Sequence, residues 1–276
     1  MTLSGDGKSD TSVVRESLNA ITVRDIIYSF VAAVGIAIVL KVFFLGMYAI
    51  PTSSMSPTLL AGDYVLVSKV AYSVGLPDYI PFTDIPVSHS VRYPFASIHK
   101  GDIIVFHFPY QDVHPSAPPY FIKRVAGVPH DTIAIHNGTV LFGEEALNSP
   151  RRRRVLHDDM PYIRPFVIPY KGMKLILHKE TISLWKPLLT HEGNHVDVIR
   201  DSVFLNGRVA TEYNIQENYY YVLGDNTADS FDSRYWGVVP ERTVIGRPVM
   251  VYWSVESNGY SGTSRFRWNR IGTFIK

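Results

Sequence analysis

Between Ile26 and Leu45 the chain reads IIYSFVAAVGIAIVLKVFFL, 20 residues with one charge, Lys41. This run restricts the fold more than any other feature. A helix of that length spans about 30 Å, the thickness of a hydrocarbon core. A cleaved leader is the first competing reading, but its apolar core is shorter, and here about 25 residues precede the run. The exit, Gly46-Met47-Tyr48-Ala49, also lacks a cleavage site of the A-x-A kind. A buried core helix is the second competing reading, and the length and flanks favour a membrane anchor over it. The expected anchor covers residues 26–48, with Lys41 snorkelling toward the headgroups. Lys8, Arg15 and Arg24 precede it, and the next basic residue after Lys41 is Lys69. The bias places the tail, residues 1–25, in the cytoplasm and residues 49–276 outside.

The extracytoplasmic part reads as strands and turns. The chain holds 17 Tyr, 14 Phe and 4 Trp, together with 18 Pro and 19 Gly, a composition that favours sheets over a helical bundle. Turn-then-strand signals occur at Gly62–Lys69 and Gly101–Phe106. Two hairpins are marked by Asn-Gly: 132–136 with 139–142, and 202–205 with 208–210. Pro248–Trp253 reads as a late strand with its proline at the first position, where a missing N–H is tolerated. There is no βαβ rhythm, so the expected fold is mainly β, an antiparallel sheet with one N-terminal transmembrane helix. Residues 71–100 read as a long surface loop, and a weaker pattern at 143–200 as the bulk of an inserted β-rich subdomain, at about 136–216. The run Arg151-Arg152-Arg153-Arg154 in it fits a solvated loop better than a phosphate or lipid-head site.

Composition also limits the chemistry. The absence of cysteine excludes disulfides, thiolate nucleophiles and Cys-ligated metals, and suits a domain outside the cytoplasm. A net charge of +2 gives no field for nucleic acid. His191-Glu192-Gly193-Asn194-His195 fits the H-E-x-x-H zinc pattern. That chemistry needs a helix presenting both histidines on one face. Gly and Asn at its centre, Pro187 before it and β-branched residues after it read instead as a turn into a strand.

Five hydroxyls crowd Ile50-Pro51-Thr52-Ser53-Ser54-Met55-Ser56-Pro57-Thr58-Leu59, directly after the anchor. A serine needs a base, either histidine or a lysine held neutral by burial. None of the ten histidines sits in a recognisable triad context. In Tyr120-Phe121-Ile122-Lys123-Arg124-Val125, strand alternation puts Lys123 on one face with Phe121 and Val125. By itself this also suits an ordinary lysine with its stem on apolar surface. A third stretch, Gly224–Gly237, is dense in hydrogen-bonding side chains, and Asp232 and Arg234 at i, i+2 point to one side. Taken alone it reads as a loop of Asx turns.

Taken in order, these stretches resemble the bacterial type I signal peptidases, membrane-anchored Ser–Lys proteases. Pro51–Leu59 resembles the family's serine box, Gly62–Lys69 the strand after it, Gly101–Phe106 and Lys123–Asp131 the strand and lysine boxes, and Gly224–Arg234 the last box. The resemblance implies Ser54 as nucleophile and Lys123 as general base. It implies an oxyanion hole made by the Ser54 N–H and the Thr52 hydroxyl, where the family often has Ser. It implies that Ser230 orients the lysine, that Asp232 and Arg234 form a supporting salt bridge, and that Asp225 and Asn226 are structural. Ile50, Met55, Leu59, Phe121 and Ile122 would line shallow pockets for small P1 and P3 side chains. His130 departs from the usual Gly, which puts the local turn in question if that position has φ > 0.

The implied activity is removal of signal peptides from secretory preproteins after small residues, through an acyl-enzyme. No cofactor or metal is implied. The implied neighbours are the bilayer of the bacterial inner membrane and the translocation machinery. Two other readings are a self-cleaving Ser–Lys protease of the repressor type and a membrane-anchored β-domain that binds or assembles without catalysis. The anchor and the lack of a helix-turn-helix pattern oppose the first; retention of Ser54 and Lys123 opposes the second.

Overall fold

The computed structural model describes residues 22–75, 92–111, 114–136, 139–147, 163–257 and 264–276. The Arg151–Arg154 run, the Asn137-Gly138 turn and most of the N-terminal tail and of the 71–100 loop lie outside the described residues.

The apolar run is helical, but its limits are offset from those expected. Helix α1 is Val23–Val39, followed by a wider, π-type turn at Leu40–Phe44. It starts early because Thr22 caps it: the Asp25 carboxylate accepts the Thr22 N–H at 3.0 Å, as a capping box does. The apolar segment Val23–Phe44 is 22 residues long, its most apolar 18-residue stretch has mean hydropathy 2.4, and that stretch is not buried against the rest of the chain. Leu45–Ala49, most of which was expected to lie in the anchor, is instead a strand, β1. It runs antiparallel to β2, Asp63–Ser68. Lys69 Nζ donates to the Val42 carbonyl at 3.1 Å and ties the last helical turn to the end of β2.

A short pair follows, β3 (Ser73–Gly75) and β4 (Arg92–Pro94), inside the stretch expected as loop. Then come β5 (Ile103–His107) and β6 (Tyr120–Gly127). The chain next leaves the main sheet through β7 (Thr132–His136), β8 (Thr139–Phe142), α2 (Gly143–Leu147) and β9 (Ile163–Val167). It continues through β10 (Lys174–Ile176), α3 (Ile182–His191), β11 (Val196–Ile199), β12 (Ser202–Leu205), β13 (Arg208–Val209) and β14 (Glu212–Asn214). It re-enters at β15 (Tyr219–Leu223), passes α4 (Ser233–Trp236) and β16 (Val239–Pro240), and closes with β17 (Val244–Ser257), β18 (Ser264–Phe266) and β19 (Thr273–Phe274).

The main sheet is antiparallel in the order β1-β2-β17-β5-β6-β15-β16, with β18 and β19 on β17. The fold is therefore mainly β, as expected. The excursion between β6 and β15 carries its own core of Ile133, Ile135, Ile168, Trp185, Leu188, Leu189 and Tyr219. It starts at β7, before the 136 expected as its edge.

Two further cores flank the sheet. The uninterrupted apolar run of β5 explains them, since such a strand is covered on both faces. Ile103 and Val105 pack with Ile50, Met55, Leu59, Val65 and Val67. Ile104 and Phe106 pack with Phe108, Val125, Val222 and Trp236. Pro248 sits inside β17, not at its start, where the register against β2 slips between Pro248 and Met250. A bulge is one of the few interior places where a strand accepts proline.

Helix α3 is unexpected, because Pro187 lies inside it and an interior proline costs roughly 3 kcal/mol. Burial of Ile182, Trp185, Leu188 and Leu189 on one face offsets that cost. His191 ends this helix and His195 lies beyond the turn, so the H-E-x-x-H residues do not share a helical face.

Candidate active site

The site is built where three loops and strands meet. Residues 51–60 turn over one face of the sheet, held by Met55 and Leu59 in the core beneath. Strand β6 supplies Lys123, whose burial follows from its neighbours: it shares a face with Val125, and its Nζ is 5.6 Å from the Phe121 ring centre. Lys123 is 2% exposed. Its Nζ donates to Ser54 Oγ at 2.6 Å, joining residues 69 positions apart. Burial pulls the amine down to about 8, against the upward pull of Asp232, Asp225 and Asp229. A hydroxyl in contact with an amine whose neutral form becomes accessible near pH 8 is the combination a serine nucleophile needs.

The segment Gly224–Arg234 packs against both. Asn226 N–H donates to the Ser54 carbonyl at 3.1 Å, and Asn226 Nδ2 donates to the Ser53 carbonyl at 3.4 Å. Gly224 is required by close approach: a Cβ there would lie 2.2 Å from Ser230 Oγ and 2.5 Å from the Ser54 carbonyl oxygen. Asp232 and Arg234 form a buried two-bond pair at 2.8 and 2.9 Å. Asp232 also accepts the Gly224 N–H at 3.1 Å, and Arg234 donates to the Thr227 carbonyl at 2.6 Å, so the pair closes the loop on itself. Asp225 faces the other way. It accepts two bonds from Arg124 at 2.7 and 2.8 Å and one from Thr58 at 2.5 Å. Burial pushes its carboxyl up, but the Arg124 and Thr58 bonds outweigh this and hold it below the usual range.

Of the residues expected at the site, Ser54, Lys123, Asn226, Asp225, Asp232 and Arg234 are brought together. Thr52 is near, its Oγ1 donating to Ser54 Oγ at 3.4 Å. Ser230 differs from expectation. It is buried beside Gly224, yet its Oγ has no hydrogen-bond partner among the described residues, so no bond to Lys123 orients the amine. The pocket residues divide. Ile50, Met55 and Leu59 are core residues, 5%, 1% and 0% exposed, packed together beneath the loop of Ser54. Phe121 and Ile122 are half-buried and keep free surface.

His130 takes φ 75°, the left-handed conformation, and its ring stacks on Tyr170 at 3.7 Å between centres. Sequence reasoning missed Arg124, Thr58 and the bond from Ser53 Oγ to Asp229 at 2.5 Å. Each joins residues more than a hundred positions apart, which no local pattern reports. The residues of the H-E-x-x-H stretch serve packing: Arg242 bonds His191, and Glu192 accepts the Tyr219 hydroxyl at 2.7 Å.

Known proteins are similar to this chain in sequence. The chain is 28% identical to signal peptidase I of Pseudomonas aeruginosa over 255 residues, covering 88% of this chain and 76% of that one. Signal peptidase I of Aquifex aeolicus is also 28% identical, over 75% of each chain. A solved signal peptidase I from Enterococcus faecalis aligns with 55% of this chain and 97% of its own at 22% identity, with a TM-score of 0.26, too low to bear on the fold. The family described as signal peptidase, peptidase S26, matches residues 23–253, from the first turn of α1 to the late strand β17. The match spans the loop of Ser54, the strand of Lys123 and the segment that closes over them, and the chain belongs to that family.

Proposed function

We propose that Ser54 is the nucleophile and Lys123 the general base of this serine endopeptidase, and that it cleaves preproteins after small residues through an acyl-enzyme. The observation that carries the reading is the 2.6 Å contact between Ser54 Oγ and a buried amine with its pKa pulled down to about 8. Neutral Lys123 takes the Ser54 proton as Oγ adds to the scissile carbonyl. The resulting oxyanion is within reach of the Ser54 N–H and the Thr52 hydroxyl, which lies 3.4 Å from Ser54 Oγ. The ammonium of Lys123 then protonates the leaving amine. In the second half the same amine takes a proton from water, which attacks the ester, and the ammonium returns that proton to Ser54 Oγ as the ester bond breaks.

Small residues before the bond suit a site floored by the buried Met55 and Leu59, with the half-buried Phe121 and Ile122 on the strand of Lys123. Residues 23–44 would anchor the enzyme in the bacterial inner membrane, with the N-terminus cytoplasmic and the strands outside, near the translocation machinery where such bonds emerge. Cleavage of a model preprotein by wild type, Ser54→Ala and Lys123→Ala in lipid tests the dyad. Both variants should lose activity while keeping the wild-type fold; cleavage surviving in either removes the assignment.

A further inference from the structure

Two of the three carboxylates around Ser54 are held by arginines. Asp225 is paired with Arg124 at 2.7 Å and Asp232 with Arg234 at 2.8 Å. Asp229 is different. It is exposed, sits in the same loop, and among the described residues has no cation against it. Its carboxylate accepts the Ser53 hydroxyl at 2.5 Å, and Ser53 is the residue next to the nucleophile. Adjacent Cα atoms are about 3.8 Å apart, so this oxygen lies within about 9 Å of the Ser54 Cα. Its field also reaches the dyad, where it acts to raise the Lys123 pKa. The hydrogen bond to Ser53 holds the charge in place; a free side chain would average over many positions.

We propose that Asp229 sets a charge preference in this cleft, favouring substrates with a cationic side chain beside the scissile bond and disfavouring acidic ones. The inference rests on Ser54 being the nucleophile. A peptide crossing Ser54 must bring the side chains flanking its bond to within roughly one Debye length of the carboxylate, about 8 Å at physiological salt. At that separation, on a partly solvated surface, replacing Lys by Glu in the substrate should change kcat/KM by about tenfold.

The test uses the full chain in lipid. Model preprotein peptides carry Lys, Gln or Glu at the middle residue of the small-x-small motif, or at either of the two residues after the bond. Wild type should cleave Lys peptides about tenfold better than Glu peptides at one or more of these positions, with Gln between. Asp229→Asn keeps an oxygen to accept the Ser53 hydroxyl but removes the charge, and its Lys-to-Glu ratio should fall to near one. Ratios are taken within each variant, so a general loss of activity from a displaced loop cancels. The wild-type ratio should also shrink as salt rises from 0.05 M to about 0.5 M, a readout that needs no variant. A wild-type ratio near one at every position, a ratio unchanged in Asp229→Asn, or a ratio indifferent to salt overturns the proposal. Failure of wild type to cleave any peptide is a separate outcome: it removes the proposed function, and this inference with it.

Discussion

Lys123 illustrates how a single residue can be made reactive by its surroundings. Nothing in its own chemistry distinguishes it from an exposed lysine; strand alternation and the rings around it remove the water that would stabilise the ammonium. As the proposed base, Lys123 must be neutral, so kcat/KM should rise about tenfold per pH unit below the pKa and level off above about 8. A pH–rate profile flat from 6 to 9 would contradict this. His130 offers a second case. Its left-handed backbone costs a non-glycine residue about 1 kcal/mol. Stacking on Tyr170 returns a similar amount, about 0.5–1.5 kcal/mol. His130→Gly should therefore leave stability nearly unchanged, whereas His130→Ala keeps the strain, loses the ring and should cost about 1 kcal/mol by denaturant unfolding. The sequence marked this position as a departure, and the structure supplies the compensation that the sequence could not display.

At the scale of elements, legibility followed the strength of local signals. The strand pairings of 132–136 with 139–142 and of 202–205 with 208–209 were readable because in each an Asn-Gly pair separates two strand-forming runs in the sequence. The boundary between anchor and sheet was not, because Leu45–Ala49 is apolar enough for lipid and acquires its strand identity only by pairing with β2. Deletion through Phe44 should leave the sheet intact. Deletion through Ala49 should bare the β2 edge and produce aggregation, seen by size exclusion of the two truncations. Where β17 passes β2 the approach is close: a Cβ on Gly246 would lie 2.1 Å from the Ser68 carbonyl oxygen. Gly246→Ala should destabilise by about 2 kcal/mol in a thermal melt. Helix α3 was hidden because Pro187 argues locally against a helix that only its buried face justifies.

For the molecule as a whole, the buried Lys123 is a cost to stability. The Lys123 pKa falls from 10.5 in the unfolded chain to about 8 in the folded one. Below pH 8 both states are protonated and the fold carries the full penalty, about 3 kcal/mol. Between pH 8 and 10.5 the unfolded chain binds more protons, so stability rises with pH, and above that the penalty is gone. Lys123→Met should thus be inactive yet more stable at pH 7, with the gain vanishing near pH 10.5 in melts taken across that range. The site's membership was only partly legible for a related reason. Ser54 meets Lys123 across 69 positions and Thr58 meets Asp225 across 167, contacts made by the whole sheet and by no single stretch. One connection does remain local. The apolar helix passes into β1 with no linker, and Ser54 follows its last turn by ten residues. Ten residues reach at most about 35 Å, and the first five of them, paired as β1, cannot coil or swing. With the helix in the bilayer and Ser54 as the proposed nucleophile, the enzyme would be a gauge of fixed depth, cutting a bond only where its own chain presents it at the height that this short leash allows.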